Sequence, residues 1–151
     1  MRNLTEKNYR PCVGIVLIKN GSIFAGQRLD YKSNAWQMPQ GGIEENETPI
    51  RAAVRELKEE TGIKKKHIKI ILESKNWINY DLPKELVPKL WNGKFVGQSQ
   101  KWYAMEFLGS DSDIDINTKN PEFSKWQWMT KNKLLDSIVP FKKRVYENIL
   151  S

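Results

Sequence analysis

A chain of 151 residues can bury one core without covalent staples, and a single domain over residues 1–151 is expected. It has no apolar run of membrane-spanning length. With Cys12 and His67 as the only residues of their types, it can form neither an internal disulfide nor a site built from several His or Cys ligands. The formal net charge of +7 suits a polyanionic partner, and nucleotides and RNA both qualify.

In chain order, Tyr9 to Lys19 is an apolar, β-branched run that reads as a central strand after Pro11, with Cys12 as a small buried residue within it. Asn20-Gly21 is a hairpin signal that returns Ser22 to Arg28 as the partner strand. Asp30 to Ala35 is a polar loop, and Trp36 to Met38 is a short strand leading into Pro39-Gln40-Gly41-Gly42. Thr48 is a capping residue and Pro49 suits a first helical position, so a helix is predicted to run through Thr61 and stop at Gly62. Its apolar stripe is Ile50, Ala53, Val54 and Leu57.

Lys64 to Lys66 form a basic turn with His67 as surface decoration, and Ile68 to Leu72 is a strand. Asn79 to Gly97 is dotted with proline and reads as irregular, with a turn at Trp91-Asn92-Gly93. Gln100 to Leu108 alternates as a strand does, Gly109 to Pro121 is an acidic loop, and Ser124 to Met129 is a short aromatic strand. Thr130 caps a helix through Ile138, and Phe141 to Leu150 is a last helix with Val145, Ile149 and Leu150 inward. Trp36, Trp77, Trp102, Trp126 and Trp128 are expected mostly in the core. Strands around one strongly marked helix, with more helix at the C-terminus, predict an α+β sandwich with a mixed sheet.

The other face of the marked helix carries the chemistry. Glu56, Glu59 and Glu60 stand at i, i+3 and i+4, so three carboxylates share one side and repel one another. Arg55 reaches Glu59 along the helix, and no neighbour in sequence neutralises Glu56 or Glu60. A hard divalent cation would, because Mg²⁺ takes a few carboxylates together with waters and substrate phosphates.

These residues do not stand alone. Gly41, then Glu47 after five residues, then Arg55-Glu56-Leu57-Lys58-Glu59-Glu60-Thr61-Gly62-Ile63 after seven more resembles the Nudix hydrolase signature at every specified position. The resemblance implies the Nudix αβα sandwich and a loop–helix–loop that binds Mg²⁺ or Mn²⁺ and hydrolyses nucleoside diphosphates linked to another group. Further pieces recur in order: Tyr9-Arg10-Pro11, Trp36 to Gly42, Trp77 with Tyr80 to Pro83, Gly97 to Tyr103, Pro121-Glu122-Phe123 with Trp126, and Phe141-Lys142-Lys143. Together they resemble the bacterial RNA pyrophosphohydrolase branch, also described as dinucleoside polyphosphate hydrolases or invasion protein A.

That resemblance implies metal ligation by the Gly41 carbonyl and by Glu56, Glu59 and Glu60, with a further carboxylate from the acidic loop. Asp113 is the first choice for that carboxylate and Asp115 the alternative. Glu56, Glu59, Glu60 and Arg55 form the catalytic set, with Glu56 favoured as base and Glu60 or Asp113 left open. Arg55 braces Glu59, and Glu47 orients the loop or Arg55. Substrate contacts are expected from Arg10, Arg28, Gln40, Tyr80, Gln98, Lys101, Phe141 and Lys142, with Phe141 and Arg28 sandwiching an RNA base. Packing is the competing reading of Phe141, and a plain strand edge that of Gln98 and Lys101. The implied substrates are 5′-triphosphorylated RNA or dinucleoside polyphosphates such as diadenosine tetraphosphate, and a catalytically silent binding module is a third reading. A cytoplasmic protein with no membrane and no DNA partner is expected.

Overall fold

The first apolar run becomes strand β1, Tyr9–Lys19, and it is buried on both faces. This explains why the run is continuous rather than alternating. Val13, Ile15 and Leu17 point to one side and Val16 to the other. The computed structural model describes residues 8–29, 35–85, 94–138 and 140–150, except for the side chains at 140 and 141.

The Asn20-Gly21 turn returns β2, Ser22–Arg28, with positive φ at both residues as a two-residue hairpin requires. Two short strands follow, β3 (Trp36–Gln37) and β4 (Gln40–Gly42). Helix α1 spans Pro49–Thr61, then come β5 (Ile68–Glu73), β6 (Ile78–Asp81), β7 (Gly97–Phe107) and β8 (Phe123–Met129). Helices α2 (Lys131–Ser137) and α3 (Pro140–Leu150) complete the described chain.

The sheet is mixed. β1 runs parallel to β7 over the register Tyr9↔Gly97 to Ile18↔Glu106, and the other pairings are antiparallel. β4 pairs with β1, β8 pairs with β2, and both β5 and β6 pair with β7. α1 lays Ala52, Ala53 and Leu57 on one face, against Val13, Ile15, Leu17, Tyr103 and Met105. α2 and α3 cover the other face with Leu134 and Tyr146 over Val16, Ile23, Met38 and Trp102. The sandwich is therefore αβα, as expected.

Several expectations need correction. The proline-dotted stretch contains β6, and β7 begins at Gly97 rather than Gln100. Main-chain pairing with the long β7 supplies order that the polar Asn79 and Asp81 do not advertise. Gln40–Gly42, to which no element was assigned from the sequence, is a strand, because Cys12, Val13 and Gly14 of β1 pair with it. Trp102 is buried and Trp36, Trp126 and Trp128 are half-buried, whereas Trp77 is exposed beneath the Lys101 ammonium. Residues 30–34 of the polar loop and the turn at 91–93 lie outside the described residues.

Candidate active site

The helix that carries the carboxylates is fixed at both ends. Thr48 Oγ1 accepts the Arg51 amide at 3.4 Å, and Pro49 occupies the first turn, where its missing N–H costs nothing. Gly62 takes φ 73° and returns its N–H to the Lys58 carbonyl. A side chain at Gly62 would also press on the Asp115 carbonyl, 2.8 Å from an ideal Cβ.

Between the glycines and the helix, Arg55 works as a clamp. Its Nε and Nη2 donate to the two Glu47 carboxylate oxygens at 2.7 and 2.9 Å, and Nη2 also reaches the Gly42 carbonyl at 2.9 Å. Hydrogen bonding to this guanidinium holds the Glu47 carboxyl down at about 2. Nη1 is shared between Glu56 Oε1 at 2.8 Å and Glu59 Oε2 at 3.2 Å. One guanidinium thus ties the loop to the helix and partly neutralises two of the three α1 carboxylates. Glu44 joins at 3.6 Å and offers its amide to Glu47.

Glu60 receives no such help. It is 4% exposed, and its Oε2 has no hydrogen-bond partner among the described residues. Burial first, then the charges of Glu56 and Glu122, push its carboxyl well above the ordinary value, against a backbone hydrogen bond from Gln40. Glu56 is also raised, by burial ahead of Glu59 and Glu122 and against Arg55. Gly41 lies directly on it: a Cβ there would fall 2.0 Å from the Glu56 carboxyl carbon.

A buried orphan oxygen, two carboxyls whose affinity for protons is raised and a glycine cradle together fit a hard cation. Among the described residues the acids do not converge into a finished cage. Glu56 and Glu59 are turned onto Arg55 instead.

The structure places the remaining predicted residues unequally. Arg10 lies on the glycine loop, with its guanidinium 2.4 Å from where a Gly42 Cβ would stand and 3.9 Å from Cys12 Sγ. Gln40, Gln98 and Gln100 form a polar chain, in which Gln100 Nε2 donates to Gln98 at 2.8 Å and to Gln40 at 3.3 Å. Gln98 is therefore an interior hydrogen-bonding residue rather than a bare strand edge. Tyr80 is buried, and its hydroxyl is pushed up by burial.

Lys142 is 5% exposed and donates to Gln37 Oε1 at 3.3 Å; burial pulls its ammonium down to about 7. Lys101 is turned outward to Glu73 at 3.6 Å and the Lys75 carbonyl at 3.4 Å. Phe141 lies in α3 by its backbone, and its side chain is outside the described part.

Asp113 is placed apart from this group. Its carboxylate caps a short turn by accepting the Ser110 amide at 2.9 Å, and it stands 3.9 Å from His67 Nε2. Asp115 packs on Gly62 at the far end of α1. The acid that does act on Glu56 and Glu60 is Glu122, at the foot of β8, 4.0 Å from Arg28 Nη2. Pairing of β8 with β2 sets Phe123 opposite Arg28, which brings its neighbour Glu122 to the cluster. The sequence holds the residue in Pro121-Glu122-Phe123, but the pairing that delivers it is not local.

The NUDIX domain family model matches residues 8–149. An RNA pyrophosphohydrolase of Dinoroseobacter shibae is 54% identical over 142 residues, 93% of this chain and 89% of that protein. One from Rickettsia canadensis is 50% identical over 155 residues, covering 99% and 95%. The crystal structure of a C. elegans Ap4A hydrolase binary complex shares the fold at a TM-score of 0.67 and 20% identity, covering 93% of this chain and 95% of its own.

Proposed function

Because this chain belongs to the Nudix family, we propose that it hydrolyses the 5′-triphosphate end of RNA, releasing pyrophosphate and leaving a 5′ monophosphate. The observation that carries the reading is the carboxylate cluster on α1, with Glu60 buried and unsatisfied and Glu56 seated on Gly41. Half-identity over nearly the whole length to proteins named RNA pyrophosphohydrolase supports RNA as the substrate.

Nudix hydrolases work with divalent metal ions, and Mg²⁺ or Mn²⁺ suits an all-oxygen donor set. Glu56, Glu59, Glu60, the Gly41 carbonyl and Glu122 are the groups that would hold the ion, with Asp113 and Asp115 too far committed elsewhere. When bound, such an ion neutralises phosphate charge and makes water more acidic.

The chain's own residues do the rest. Glu56 is partly buried with a raised affinity for protons, which suits it to accept the proton of the attacking water. Arg55 fixes Glu56 and Glu59 against the loop, so it positions rather than touches substrate. Arg10, whose guanidinium lies against Gly42, is the group we assign to the phosphate oxygens. Arg28 is assigned to a base clamp with Phe141, whose side chain lies outside the described residues. One domain carries this activity, and a reducing cytoplasm suits both its substrate and the lone buried Cys12.

The test is product identity. Incubating 5′-triphosphorylated RNA with the protein and Mg²⁺ should give RNA 5′ monophosphate and pyrophosphate. Glu56→Gln should lower turnover by about 10²- to 10⁴-fold, the range for a lost general base, without lowering the melting temperature. Stepwise release of orthophosphate, or near-normal turnover by Glu56→Gln, would contradict the reading.

A further inference from the structure

Strand β7 carries Gln98, Gln100 and Trp102 at alternate positions, so all three side chains leave the sheet on one face. The register puts Arg10 opposite Gln98, Cys12 opposite Gln100 and Gly14 opposite Trp102, with Gln40 of β4 on the other side of Gly14. The indole of Trp102 fills the space that a side chain at Gly14 would need, with three ring atoms 2.5–2.6 Å from an ideal Cβ. Tyr146 of α3 meets the indole edge-on, with ring centroids 5.8 Å apart. Trp102 is thereby fixed, and its Nε1 donates to Gln100 Oε1 at 3.0 Å.

That one bond sets the direction of the amides beyond it. An indole N–H donates and cannot accept, so the oxygen of Gln100 faces Trp102 and its NH2 faces away. The NH2 has two hydrogens, and its acceptors are Gln98 Oε1 at 2.8 Å and Gln40 Oε1 at 3.3 Å. Gln100 is 1% exposed, so bulk water does not offer it other partners. Both outer glutamines therefore turn their oxygens inward, and the nitrogen of each lies on the branch directed away from Gln100.

A nucleobase edge presents donors and acceptors together, whereas a phosphate presents acceptors alone. Two outward NH2 groups thus suit phosphate. Their neighbours agree: Arg10, assigned above to phosphate oxygens, is the strand partner of Gln98, and the Gln40 main chain hydrogen-bonds Glu60. We propose that Trp102 and Gln100 are positioning residues, which hold the Gln40 and Gln98 carboxamides with nitrogen outward so that both donate to the polyphosphate of the substrate. The proposal rests on the polyphosphate hydrolysis proposed above, and it applies to triphosphorylated RNA and to a dinucleoside polyphosphate alike.

The experiment measures kcat and KM under saturating Mg²⁺ for a 5′-triphosphorylated RNA of two nucleotides and for diadenosine tetraphosphate, with melting temperature as control. The central variant is Gln100→Glu, which keeps the size of the side chain. Its carboxylate accepts from Trp102 and has nothing to donate, so Gln40 and Gln98 reverse and turn oxygen toward the phosphates. KM should rise about ten- to a hundredfold, the size of one or two hydrogen bonds to a charged acceptor, with kcat within about threefold of the wild type. Relative to the wild type at each pH, that rise should shrink as pH falls, because the introduced carboxyl once protonated again has one donor and one acceptor. Trp102→Phe, which removes the indole donor, should raise KM about threefold. Combining Gln98→Leu with either variant should raise KM by less than the product of the single effects. Should Gln100→Glu fail to fold, the pair of Trp102→Phe and Gln98→Leu decides by the same comparison. Fully multiplicative effects, or a KM rise in Gln100→Glu that is the same at every pH, would overturn the proposal and leave RNA as substrate. The expected KM pattern on diadenosine tetraphosphate, with no turnover of the RNA, would overturn the RNA reading and uphold this one.

Discussion

A buried carboxylate with an unsatisfied oxygen is costly, and Glu60 on α1 bears that cost. In the unfolded chain its carboxyl titrates near 4.5, and in the folded chain well above that value, chiefly through burial. Between the two values the folded state holds a proton that the unfolded state has released. Stability therefore falls as pH rises through this window, and the cost is full above the folded value and absent below about 4.5. Glu60→Gln should then melt higher than the wild type in chelator at neutral pH, with the difference closing toward pH 4. Added Mg²⁺ should stabilise the wild type more than the variant. Parallel melting curves across pH would show that Glu60 is not held uncharged.

The residue scale also separates Glu122 from Asp113. Glu122→Gln should lower turnover about ten- to a hundredfold, as for groups that support a metal site, and raise the Mg²⁺ concentration needed. Asp113→Asn should leave turnover near normal and loosen only the Ser110 turn. The reverse ranking, measured as kcat against Mg²⁺, would return the acidic loop to the site. Sequence reasoning reached Glu56, Glu59 and Glu60 because three i, i+3, i+4 acids are a local pattern. It could not reach Glu122, whose place depends on β8 finding β2 about a hundred residues away in the chain.

At the scale of elements, α1 and the glycine strand β4 form one unit held by Arg55. The caps and the end of α1 were legible, because capping is written in neighbouring residues, and of the expected stripe Ile50, Ala53 and Leu57 pack on the core, whereas Ala52 is buried there and Val54 is only half-buried. β4 and β6 were not, because their order comes from pairing with β1 and β7 rather than from their own side chains. Likewise, nothing local says that Lys142 is buried: α3 carries it inward to Gln37, and only packing decides that. The close seat of Glu56 on Gly41 gives the unit its most sensitive point. In Gly41→Ala the new methyl would occupy the space of the Glu56 carboxyl, forcing one of them to move. Turnover should fall about 10²-fold, as for misplacement of a reacting group by roughly an ångström, with the melting temperature little changed. An active Gly41→Ala enzyme would show that Glu56 need not be held there.

For the whole molecule, the αβα sandwich places α1 on one face of the sheet and α3 on the other, and residues from both meet around β1 and β2. Cys12 on β1 lies within the electrostatic reach of Glu56 from one side and Lys142 from the other. Three of the carboxylates come from α1, Glu122 comes from the foot of β8, and Lys142 comes from α3 on the opposite face of the sheet. No helix among the described residues is long and apolar enough to cross a membrane. The net charge of +7 suits a polyanionic partner, and a strand with a phosphate at every step benefits most from it. On the proposed function this polyanion is RNA. The most direct measurement is a competition in one reaction containing Mg²⁺, a triphosphorylated RNA of four nucleotides and diadenosine tetraphosphate at equal concentration, both followed to their products. The RNA should be consumed first, with a kcat/KM at least about tenfold higher, since its further base and phosphates add contacts that the dinucleotide lacks. Preferential loss of diadenosine tetraphosphate, with the RNA keeping its triphosphate, would contradict the account.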